Sequence, residues 1–365
     1  MKLTDVVDRI NGNVDRFTTE LEYYIGGEHF ESNELEVTQK GLLKENLGKL
    51  GFKFHFAFQD RDVVFMARNP HLRKAGMVRF AGLCSDASYI LRSKDETVLS
   101  QEYLAVMLQS DHFWDYCESH KVGSVNFANN WSSIANYEFE LPTPEEQKEI
   151  SDKVWAAYRL KKSYKKLLAA TEEMVKSQFI EMFGSVDDNP KSYDIKKVGD
   201  FAECFAGATP STKISSYWDN GNIPWMSSGE VHKARVQDTD AKITQQGYDG
   251  CSTKMVPIHS IVIALAGQGK TRGTVAINDI ELCTNQSLCA IVPNEEVNYE
   301  YLFHNLRGRY KELRSMSGDV DGRGGLNLKH IQNIKVIVPP MSEQMKFVSI
   351  ARQADKSGFR TQQIH

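Results

Sequence analysis

The sequence lacks a run of about eighteen apolar residues, the length that a membrane-spanning helix needs, so no segment is expected to cross a bilayer. Residues 1–15 are polar and acidic and contain no apolar stretch of a secretory signal. The six cysteines are scattered and form no C-x-x-C pair, which excludes a disulfide framework and the usual zinc-site spacing. These absences predict a cytoplasmic protein whose cysteines are reduced core thiols.

The sequence also lacks a large excess of one charge and the motifs of common catalysts. Its net charge of −4 argues against indiscriminate coating of nucleic acid, but specific DNA binding through a few loops is compatible with it. There is no H-E-x-x-H, no G-x-S-x-G and no Asn-Pro-Pro-aromatic tetrad of the amino-methyltransferases. We therefore expect a chain with no active site, no metal site and no bound cofactor of its own.

An internal repeat with a period of roughly 198 residues organises the chain. The matching segments keep the same order in both halves: 83–88 with 282–287, 103–104 with 301–302, Asn130 with Asn327, 134–136 with 331–333, and 146–147 with 343–344. A chain of 365 residues is long enough for two domains or more. The repeat therefore predicts two related halves.

A long helix is predicted between the halves. Thr143 suits its N-cap, Pro144 its first position and Glu146 a capping box, and the next glycine is Gly184. About forty residues at ~1.5 Å each give a rod of roughly 60 Å. We expect Lys161, Lys162, Lys165 and Lys166 on its outer face. Its coiled-coil-like spacing of apolar residues predicts a partner-binding seam, made of Ile150, Val154, Tyr164, Leu168, Val175 and Met182.

The predicted fold class is α+β, with two related, loop-rich recognition domains and a coiled-coil-like helix between them. The predicted segments are a first domain over 1–141, a central spacer helix over 142–184, a second domain over 185–339 and a shorter distal helix over 340–365. Apolar runs at 63–66 and 261–264 indicate buried strands. Helices are expected over 101–119 and 298–315, and β-branched stretches over 137–141 and 334–338 precede the two E-Q helices.

The string A-L-A-G-Q-G-K-T at 264–271 satisfies a relaxed phosphate-loop pattern. Such a loop needs a strand before it and a helix after it, so that backbone amides face the phosphates. Residues 272–277 are β-branched and bounded by glycine, which indicates a second strand instead. We favour a hairpin tip that carries Lys270 and Arg272 into a DNA groove, and nucleotide hydrolysis stays an alternative.

Arginine, lysine and polar residues in the expected loops are candidate DNA contacts, because such side chains bind guanine edges and phosphates. One group lies between residues 61 and 79, and a second lies in the second half, where Arg323 belongs to the glycine-rich loop 318–325. A simple solvated loop is the alternative interpretation of each residue. The candidates are Arg61, Arg68, Arg73, Lys74, Arg79, Ser227, Ser228, Lys270, Thr271, Arg272, Arg323 and Asn327.

Residues 207–231 contain G-A-T-P-S and then Y-W-D-N-G-N-I-P-W-M-S-S-G-E-V. This string resembles the opening of a target recognition domain in the specificity subunits of type I restriction-modification systems. The same family carries a P-P-x-x-E-Q turn before its helices, as at 339–344. The first half has no G-x-T-P-S opening, so a diverged first domain is expected. The motif residues expected to form turns and core rather than to contact bases are Gly207, Thr209, Pro210, Ser211, Trp218, Pro224 and Trp225.

The resemblance implies a non-catalytic chain that reads a bipartite double-stranded DNA target. Each globular domain is expected to read one half-site, and the central helix is expected to set their separation and dock two methyltransferase subunits. A restriction subunit with motor and nuclease activity is expected to join them. S-adenosylmethionine, ATP and magnesium are expected on the partner subunits. The alternatives are a recognition module of another DNA methylation system, a phosphate-loop hydrolase and a coiled-coil scaffold that binds no nucleic acid.

Overall fold

The computed structural model describes residues 1–124, 127–267, 269–316 and 325–362, with side chains up to Ala354 in the last range. The chain forms two compact units, Met1–Ser163 and Tyr164–His365, called here the first and second units. Both units mix helices with strands, as the predicted α+β class requires. The division falls inside the long helix, so each globular part includes a portion of that helix.

The first unit contains short strands and helices that precede one long helix. Its strands are β1 (Val7–Ile10), β2 (Tyr23–Ile25), β3 (Glu36–Val37), β4 (Gly41–Leu42), β5 (Phe54–Phe58), β6 (Val63–Met66), β7 (Ala75–Val78), β8 (Gly82–Ser85) and β9 (Ser88–Ser93). Its helices are α1 (Leu3–Val6), α2 (Leu43–Asn46), α3 (Gln101–Met107), α4 (Asp111–Ser119), α5 (Trp131–Ala135) and α6 (Pro144–Phe183), the last of which continues into the second unit. Short 3-10 helices lie at Gly27–His29 and Pro70–Leu72.

The second unit repeats this order of elements. Its strands are β10 (Asp194–Lys197), β11 (Ala202–Ala206), β12 (Ile223–Met226), β13 (Arg235–Val236), β14 (Ala241–Ile243), β15 (Ile261–Ala264), β16 (Val275–Asn278), β17 (Cys283–Thr284), β18 (Leu288–Pro293) and β19 (Lys335–Val338). Its helices are α7 (Val198–Phe201), α8 (Gln245–Asp249), α9 (Tyr299–Gly308), α10 (Tyr310–Ser315), α11 (Leu328–Gln332) and α12 (Met341–Gln362). Short 3-10 helices lie at Ser215–Tyr217 and Ser228–Lys233.

The two units have the same main-sheet topology. The first has the strand order β1-β9-β6-β7-β3 and the second has β11-β18-β15-β16-β13. In both sheets the last pair is parallel and the other neighbours are antiparallel. The smaller sheets also correspond, with β4-β2-β8 matching β14-β12-β17. This agreement confirms the internal duplication that the repeat predicted.

Both predicted buried strands are confirmed, and their residues explain the layers. In β15, Ile261 and Ile263 belong to one apolar cluster and Val262 and Ala264 to another. In β6, alternate residues likewise divide between two clusters. Because successive side chains of a strand point to opposite faces, each main sheet is covered on both sides.

Helix α6 begins as the sequence predicts. The backbone N–H of Thr143 donates to the Glu146 carboxylate (2.8 Å), and the Glu146 N–H donates to the Thr143 hydroxyl (3.3 Å), which together form the capping box. Gly184 follows the last helical residue with a φ of +76°, a conformation that glycine adopts without strain.

The N-terminal part of α6 is fixed to the first unit by polar contacts. The Trp155 indole N–H donates to the Glu102 carbonyl (3.2 Å). The ammonium groups of Lys161 and Lys162 lie 2.9 and 2.8 Å from the Glu34 and Glu36 carboxylates. The expectation of an outer face is therefore corrected for Lys161, which is half-buried, whereas Lys162 stays exposed while it pairs with the globular part of the unit.

The C-terminal part of α6 is fixed to the second unit by aromatic packing. Phe179 and Phe183 contact Tyr301 with ring centroids 5.3 and 5.2 Å apart, and Phe347 of α12 packs on both phenylalanines. The predicted partner-binding seam must be corrected here, because Val175 is buried in this core and Met182 packs against it.

The remaining predicted seam residues lie outside that core. Ile150 and Val154 are exposed, whereas Tyr164 and Leu168 are half-buried. Large exposed apolar side chains instead recur every seven residues, at Leu160, Leu167 and Met174.

Several other predicted boundaries change. The helices expected over 101–119 and 298–315 each divide in two, α3 with α4 and α9 with α10, because the chain turns between them. The β-branched stretch 334–338 contributes β19, which pairs with β10. Its counterpart at 137–141 forms only a bridge between Lys2 and Glu138.

The cysteine prediction holds for most of the six positions. All six thiols are free, and four of them are buried: Cys84, Cys117, Cys283 and Cys289. Burial raises the pKa of Cys84 to about 12. Among the residues that the structure describes, none of the helices has both the length and the apolarity required to cross a bilayer.

A buried glutamine performs the same structural role in each unit. The Gln344 amide donates to the carbonyls of Glu296 (3.1 Å) and Pro339 (2.8 Å), and its oxygen accepts the Asn298 N–H (2.8 Å). Gln147 makes the corresponding bonds to Val98, Pro142 and Ser100. Each glutamine thereby joins the start of an E-Q helix to the cap of the helix that carries the repeated Tyr-Leu pair.

Replacement of this glutamine is expected to destabilise the second unit. Gln344→Ala leaves three buried backbone groups without partners, so the free energy of unfolding is expected to fall by about 2–4 kcal/mol. Urea unfolding of the full chain measures the change. The matched control is Gln353→Ala on the same helix, where the side chain is exposed. A Gln344→Ala effect as small as the control would contradict the assigned role.

His304 makes the stability of the second unit dependent on pH. It lines a cavity of about 360 Å³ together with Phe179 and Ile337. Burial, and then the neighbouring Arg307 guanidinium, lower the pKa of His304 to about 4. Between about pH 6.5 and 4 the unfolded chain therefore binds a proton that the folded chain does not bind.

Stability is expected to fall as the pH is lowered from about 6.5 towards 4, by up to about 3 kcal/mol from this group. His304→Gln removes the titrating imidazole and is expected to flatten that part of the curve. The measurement is urea unfolding at a series of pH values. Parallel curves for wild type and variant would show that His304 does not control the dependence.

Candidate nucleic-acid interface

Several loops of the second unit meet at one end of its main sheet. Strand β15 ends there and β16 starts there, because the two strands form an antiparallel hairpin. The Leu265 N–H donates to the Ser287 carbonyl and the Leu326 N–H to the Leu265 carbonyl, both at 2.8 Å. We call this the loop end of the second unit. It comprises residues 207–211, 227–234, 265–267, 269–274, 285–287 and 325–327.

The motif that resembles a known family positions the first of these loops. The indole N–H of Trp225 donates to the Ala208 carbonyl (3.1 Å), and that of Trp218 donates to the Ser211 carbonyl (3.2 Å). The two rings pack edge to face with centroids 5.1 Å apart. Both tryptophans therefore hold the 207–211 loop in place through its backbone.

Glycine is required at the start of this loop. A Cβ atom at Gly207 would lie 1.9 Å from the Thr284 carbonyl oxygen, far inside van der Waals contact. Pro210 is buried, and Pro224 lies in β12 opposite Lys242 of β14. These motif residues fix the backbone, while the Thr209 and Ser211 side chains extend from it.

The loop end presents hydroxyl, amide, imidazole and ammonium groups. The Thr209 hydroxyl donates to the Gln286 amide oxygen (2.5 Å), and His232 Nε2 lies 3.2 Å from the Thr271 hydroxyl. Lys270 is exposed beside them. Such groups suit hydrogen bonds to base edges and contacts with phosphate oxygens.

Gln286 and His232 were not among the residues selected from the sequence. Gln286 lies inside the repeated string 282–287, which was a usable signal, because it follows Asn285 in the turn between two strands. No sequence pattern marked His232. It reaches Thr271 because a 3-10 helix packs against the central hairpin.

The other candidates of the second unit have different surroundings. Ser227 and Ser228 are half-buried at the start of a 3-10 helix, where the Ser227 N–H donates to Glu230 (2.8 Å). The Asn327 side chain caps α11 by accepting the His330 N–H (2.9 Å). Arg323 lies outside the described residues.

The expectation of an accessible Arg272 must be corrected, since only 4% of this residue is exposed. The predicted second strand also starts later, at Val275, after a turn over 269–274. The hairpin prediction itself is confirmed by the antiparallel β15–β16 pair. A phosphate loop requires a helix at this position, so the topology argues against nucleotide hydrolysis.

The first unit has a corresponding loop end. The Ala67 N–H donates to the Ala87 carbonyl (2.9 Å) and the Asn129 N–H to the Ala67 carbonyl (2.8 Å), which repeats the two bonds of the second unit. Arg68 is exposed there. Arg73 pairs with Asp111 (2.5 Å), and the Lys74 ammonium donates to the Gly27 carbonyl (2.7 Å).

Arg61 and Arg79 do not belong to this group, so the single cluster expected from the sequence must be corrected. Arg61 precedes β6 and Arg79 follows β7, and the hairpin reversal therefore places both at the opposite end of the sheet. Arg61 pairs with Glu96 (2.6 Å) and Glu102 (2.9 Å).

The Arg79 guanidinium lies 3.4 Å from Glu36 and over the Trp155 ring. The second unit keeps this ion pair with its charges exchanged. There Arg235 starts β13 where Glu36 starts β3, and Asp279 follows β16 where Arg79 follows β7. The Arg235–Asp279 distance is 3.1 Å. Arg79 therefore belongs to a structural ion pair at the edge of the main sheet and does not lie at the loop end.

Within the described ranges, no group of three or more His, Cys, Asp and Glu side chains is arranged to hold a metal ion. Both loop ends present polar side chains on loops that join neighbouring strands of the main sheets.

Comparison with known proteins identifies the second half directly. A family model described as the type I restriction modification DNA specificity domain matches residues 190–364. The specificity subunit of the Escherichia coli type I restriction enzyme EcoR124I/EcoR124II is 26% identical over 163 residues, which cover 44% of this chain and 40% of that protein. The MjaIX specificity subunit of Methanocaldococcus jannaschii is 28% identical over 190 residues, or 50% of this chain and 43% of that one. The chain thus spans about two fifths of these relatives.

Solved structures match the fold over the whole chain. A type I restriction-modification S subunit from M. genitalium superposes with a TM-score of 0.60 at 13% identity, covering 100% of this chain and 90% of the other. A chain from a study of complex assembly and conformational transition in a type I restriction-modification system gives 0.52 at 17% identity, with 100% and 91% covered. Residues 190–364 therefore form a type I restriction modification DNA specificity domain, and the whole chain has the fold of a type I restriction-modification S subunit.

Proposed function

We propose that this chain is the sequence-specific DNA-recognition subunit of a type I restriction-modification complex and carries no catalytic activity itself. The observation that carries the proposal is that two units of the same topology each present an equivalent loop end. Each loop end reads one half of a split target in double-stranded DNA. Groups such as Lys270 and Gln286 contact base edges and phosphates in the second half-site, and Arg68 does so in the first.

The same duplication supports docking of two identical methyltransferase subunits, because identical partners need equivalent surfaces. Exposed apolar residues at a seven-residue spacing on α6, Leu160, Leu167 and Met174, suit packing against a partner helix. The partners supply S-adenosylmethionine chemistry, and a restriction subunit adds ATP-driven cleavage. This chain contributes specificity, at roughly 1–3 kcal/mol for each good base contact.

The experiment is long-read sequencing of methylated bases in a methylation-free host that expresses this chain with its cognate methyltransferase. We expect a split motif with a fixed gap that disappears when this chain is omitted. A motif that persists without this chain would overturn the proposal. Sequence-independent DNA binding by the assembled complex would do the same and would favour a scaffold role.

Substitution of Gly207 tests whether the backbone of the 207–211 loop must keep its position for DNA recognition. Gly207→Ala forces a Cβ against the Thr284 carbonyl and is expected to destabilise the second unit by about 1–3 kcal/mol, because the backbone must move. Methylation of the split motif is expected to fall with it. The control is Gly229→Ala at the same loop end, where the nearest atom, Ser227 Oγ, is 3.9 Å from the added Cβ. Equal effects of the two substitutions on unfolding and methylation would contradict this role.

The length of α6 is expected to set the gap in the motif. Deletion of residues 165–171 removes two helical turns and shortens the helix by about 10 Å, or roughly three base pairs. The methylated motif of the deletion variant is therefore expected to have a shorter gap with both half-sites unchanged. The control replaces Lys166 and Thr171 with alanine, which keeps both the length of the helix and the exposed Leu167. An unchanged gap in an active deletion variant would show that α6 is not the ruler.

A further inference from the structure

Two phenylalanines of the first unit are unusually open to solvent. Phe52 is 81% exposed and Phe17 is 66% exposed, the two highest values for large apolar side chains among the described residues. They belong to one local structure, because the Arg16 guanidinium stacks on the Phe17 ring (4.8 Å) and donates to the carbonyls of Leu50 (2.9 Å) and Gly51. We call Arg16, Phe17 and residues 49–53 the aromatic tip.

The backbone of the aromatic tip is held by its own hydrogen bonds. The Phe17 N–H donates to the Asp15 carboxylate (2.9 Å), the Lys49 N–H to the Asn46 carbonyl (2.9 Å) and the Phe54 N–H to the Gly51 carbonyl (3.2 Å). Both rings therefore project from defined turns. Two exposed apolar rings on one local structure form a surface suited to a binding partner.

The tip belongs to a part of the first unit that departs from the repeat. Strand β5 pairs with β8 and so adds a fourth strand to the small sheet. The segment after β1 lies alongside β5, where the Val14 N–H donates to the His55 carbonyl (2.8 Å). Within the described part of the second unit, an isolated antiparallel bridge between Val256 and Leu282 lies at this position of the small sheet, without an extended strand. The extended strand β5 is therefore a feature of the first unit.

The aromatic tip adjoins the loop end of the first unit. The Asp86 N–H donates to the Lys53 carbonyl (3.2 Å), and the Lys53 ammonium pairs with the Asp86 carboxylate (3.1 Å). Asp86 lies in the same turn as Ala87, whose carbonyl joins that turn to the Arg68 loop. The tip thus continues the surface that carries the candidate DNA contacts.

The side chains of the tip combine apolar rings with cations. Arg16 stacks on the Phe17 ring, Lys53 follows Phe52 and pairs with Asp86, and Lys49 is exposed in the same turn. Apolar side chains flanked by arginine or lysine suit the minor groove of DNA, where rings contact sugars and base edges and cations contact phosphates. The hydrogen bonds that join the tip to the turn beside the Arg68 loop favour DNA over a partner protein as its ligand.

We propose that the aromatic tip binds duplex DNA beside the first half-site, with Phe17 and Phe52 in the minor groove and Lys49 on a phosphate. The proposal rests on the proposed DNA-recognition function and extends it to a contact that the second unit does not make. It predicts an asymmetric footprint that reaches further beyond the first half-site than beyond the second.

The test uses the full chain assembled with its methyltransferase subunits and a 40-base-pair duplex that carries the methylated motif. The double variant Phe17→Ala/Phe52→Ala is expected to raise the Kd about tenfold, because two apolar contacts are lost. Hydroxyl-radical protection outside the first half-site is expected to disappear while the motif stays the same. Lys49→Ala is expected to reduce the slope of log K against log salt by about one.

The matched control is Val98→Ala. Val98 is an exposed apolar residue of the first unit that follows β9 and so lies at the opposite end of the sheet. Thermal unfolding of all variants is expected to match wild type, since the replaced side chains are exposed.

An unchanged Kd and footprint for the double variant would overturn the inference and leave the proposed function intact. Loss of methyltransferase association, with DNA contacts unchanged, would also overturn it and would identify the tip as a protein-binding surface. A wild-type complex that methylates no split motif would instead overturn the proposed function, and the inference with it.

Discussion

Antiparallel pairing at the centre of each main sheet decides which residues of this chain meet. The antiparallel pairs β15–β16, β15–β18 and β11–β18 place three connections, β11–β12, β15–β16 and β17–β18, at one end of the sheet. The equivalent pairs in the first unit do the same. Residues far apart in sequence, such as Thr209 and Gln286, are brought to hydrogen-bonding distance by this arrangement. Residues close in sequence, such as Arg61 and Arg68, lie at opposite ends of strand β6.

The strongest patterns in the sequence predicted the matching parts of the structure. The repeat predicted two related halves, and the topology of the main sheets agrees strand by strand. The T-P-E-E string predicted the start of α6, since a capping box depends on residues within one turn. The runs at 63–66 and 261–264 predicted buried strands because both of their faces are apolar.

The errors share one cause, which is that pairing between distant segments has no local signature. Arg272 was expected at an exposed tip because glycines surround it in sequence. It lies instead in the 269–274 turn, where its side chain is buried. Val175 fits the spacing of a partner-binding seam, but the core of the second unit uses it. Strand β5 went unpredicted, since its pairing with β8 spans about thirty residues and the second half has only an isolated bridge at that position.

The two units hold the shared helix by different chemistry. Ion pairs of Lys161 and Lys162 and the Trp155 indole fix its N-terminal part, whereas an aromatic cluster around Phe179 and Phe183 fixes its C-terminal part. The Glu36–Arg79 and Arg235–Asp279 pairs lie at equivalent sheet edges with their charges exchanged, so the contacts of the two units also differ there. The duplicated halves have thus kept their topology while their contacts diverged. Such divergence is what a chain needs if its halves are to read different sequences.

The central claim is that each loop end reads one half-site. The most direct measurement is the methylated motif produced by a Lys270→Ala/Thr271→Ala/Gln286→Ala variant of the second unit, compared with that of wild type by long-read sequencing. The account predicts relaxed discrimination in one half of the motif, with the other half and the gap unchanged. Relaxation in both halves, or an unchanged motif methylated to the same extent, would contradict it.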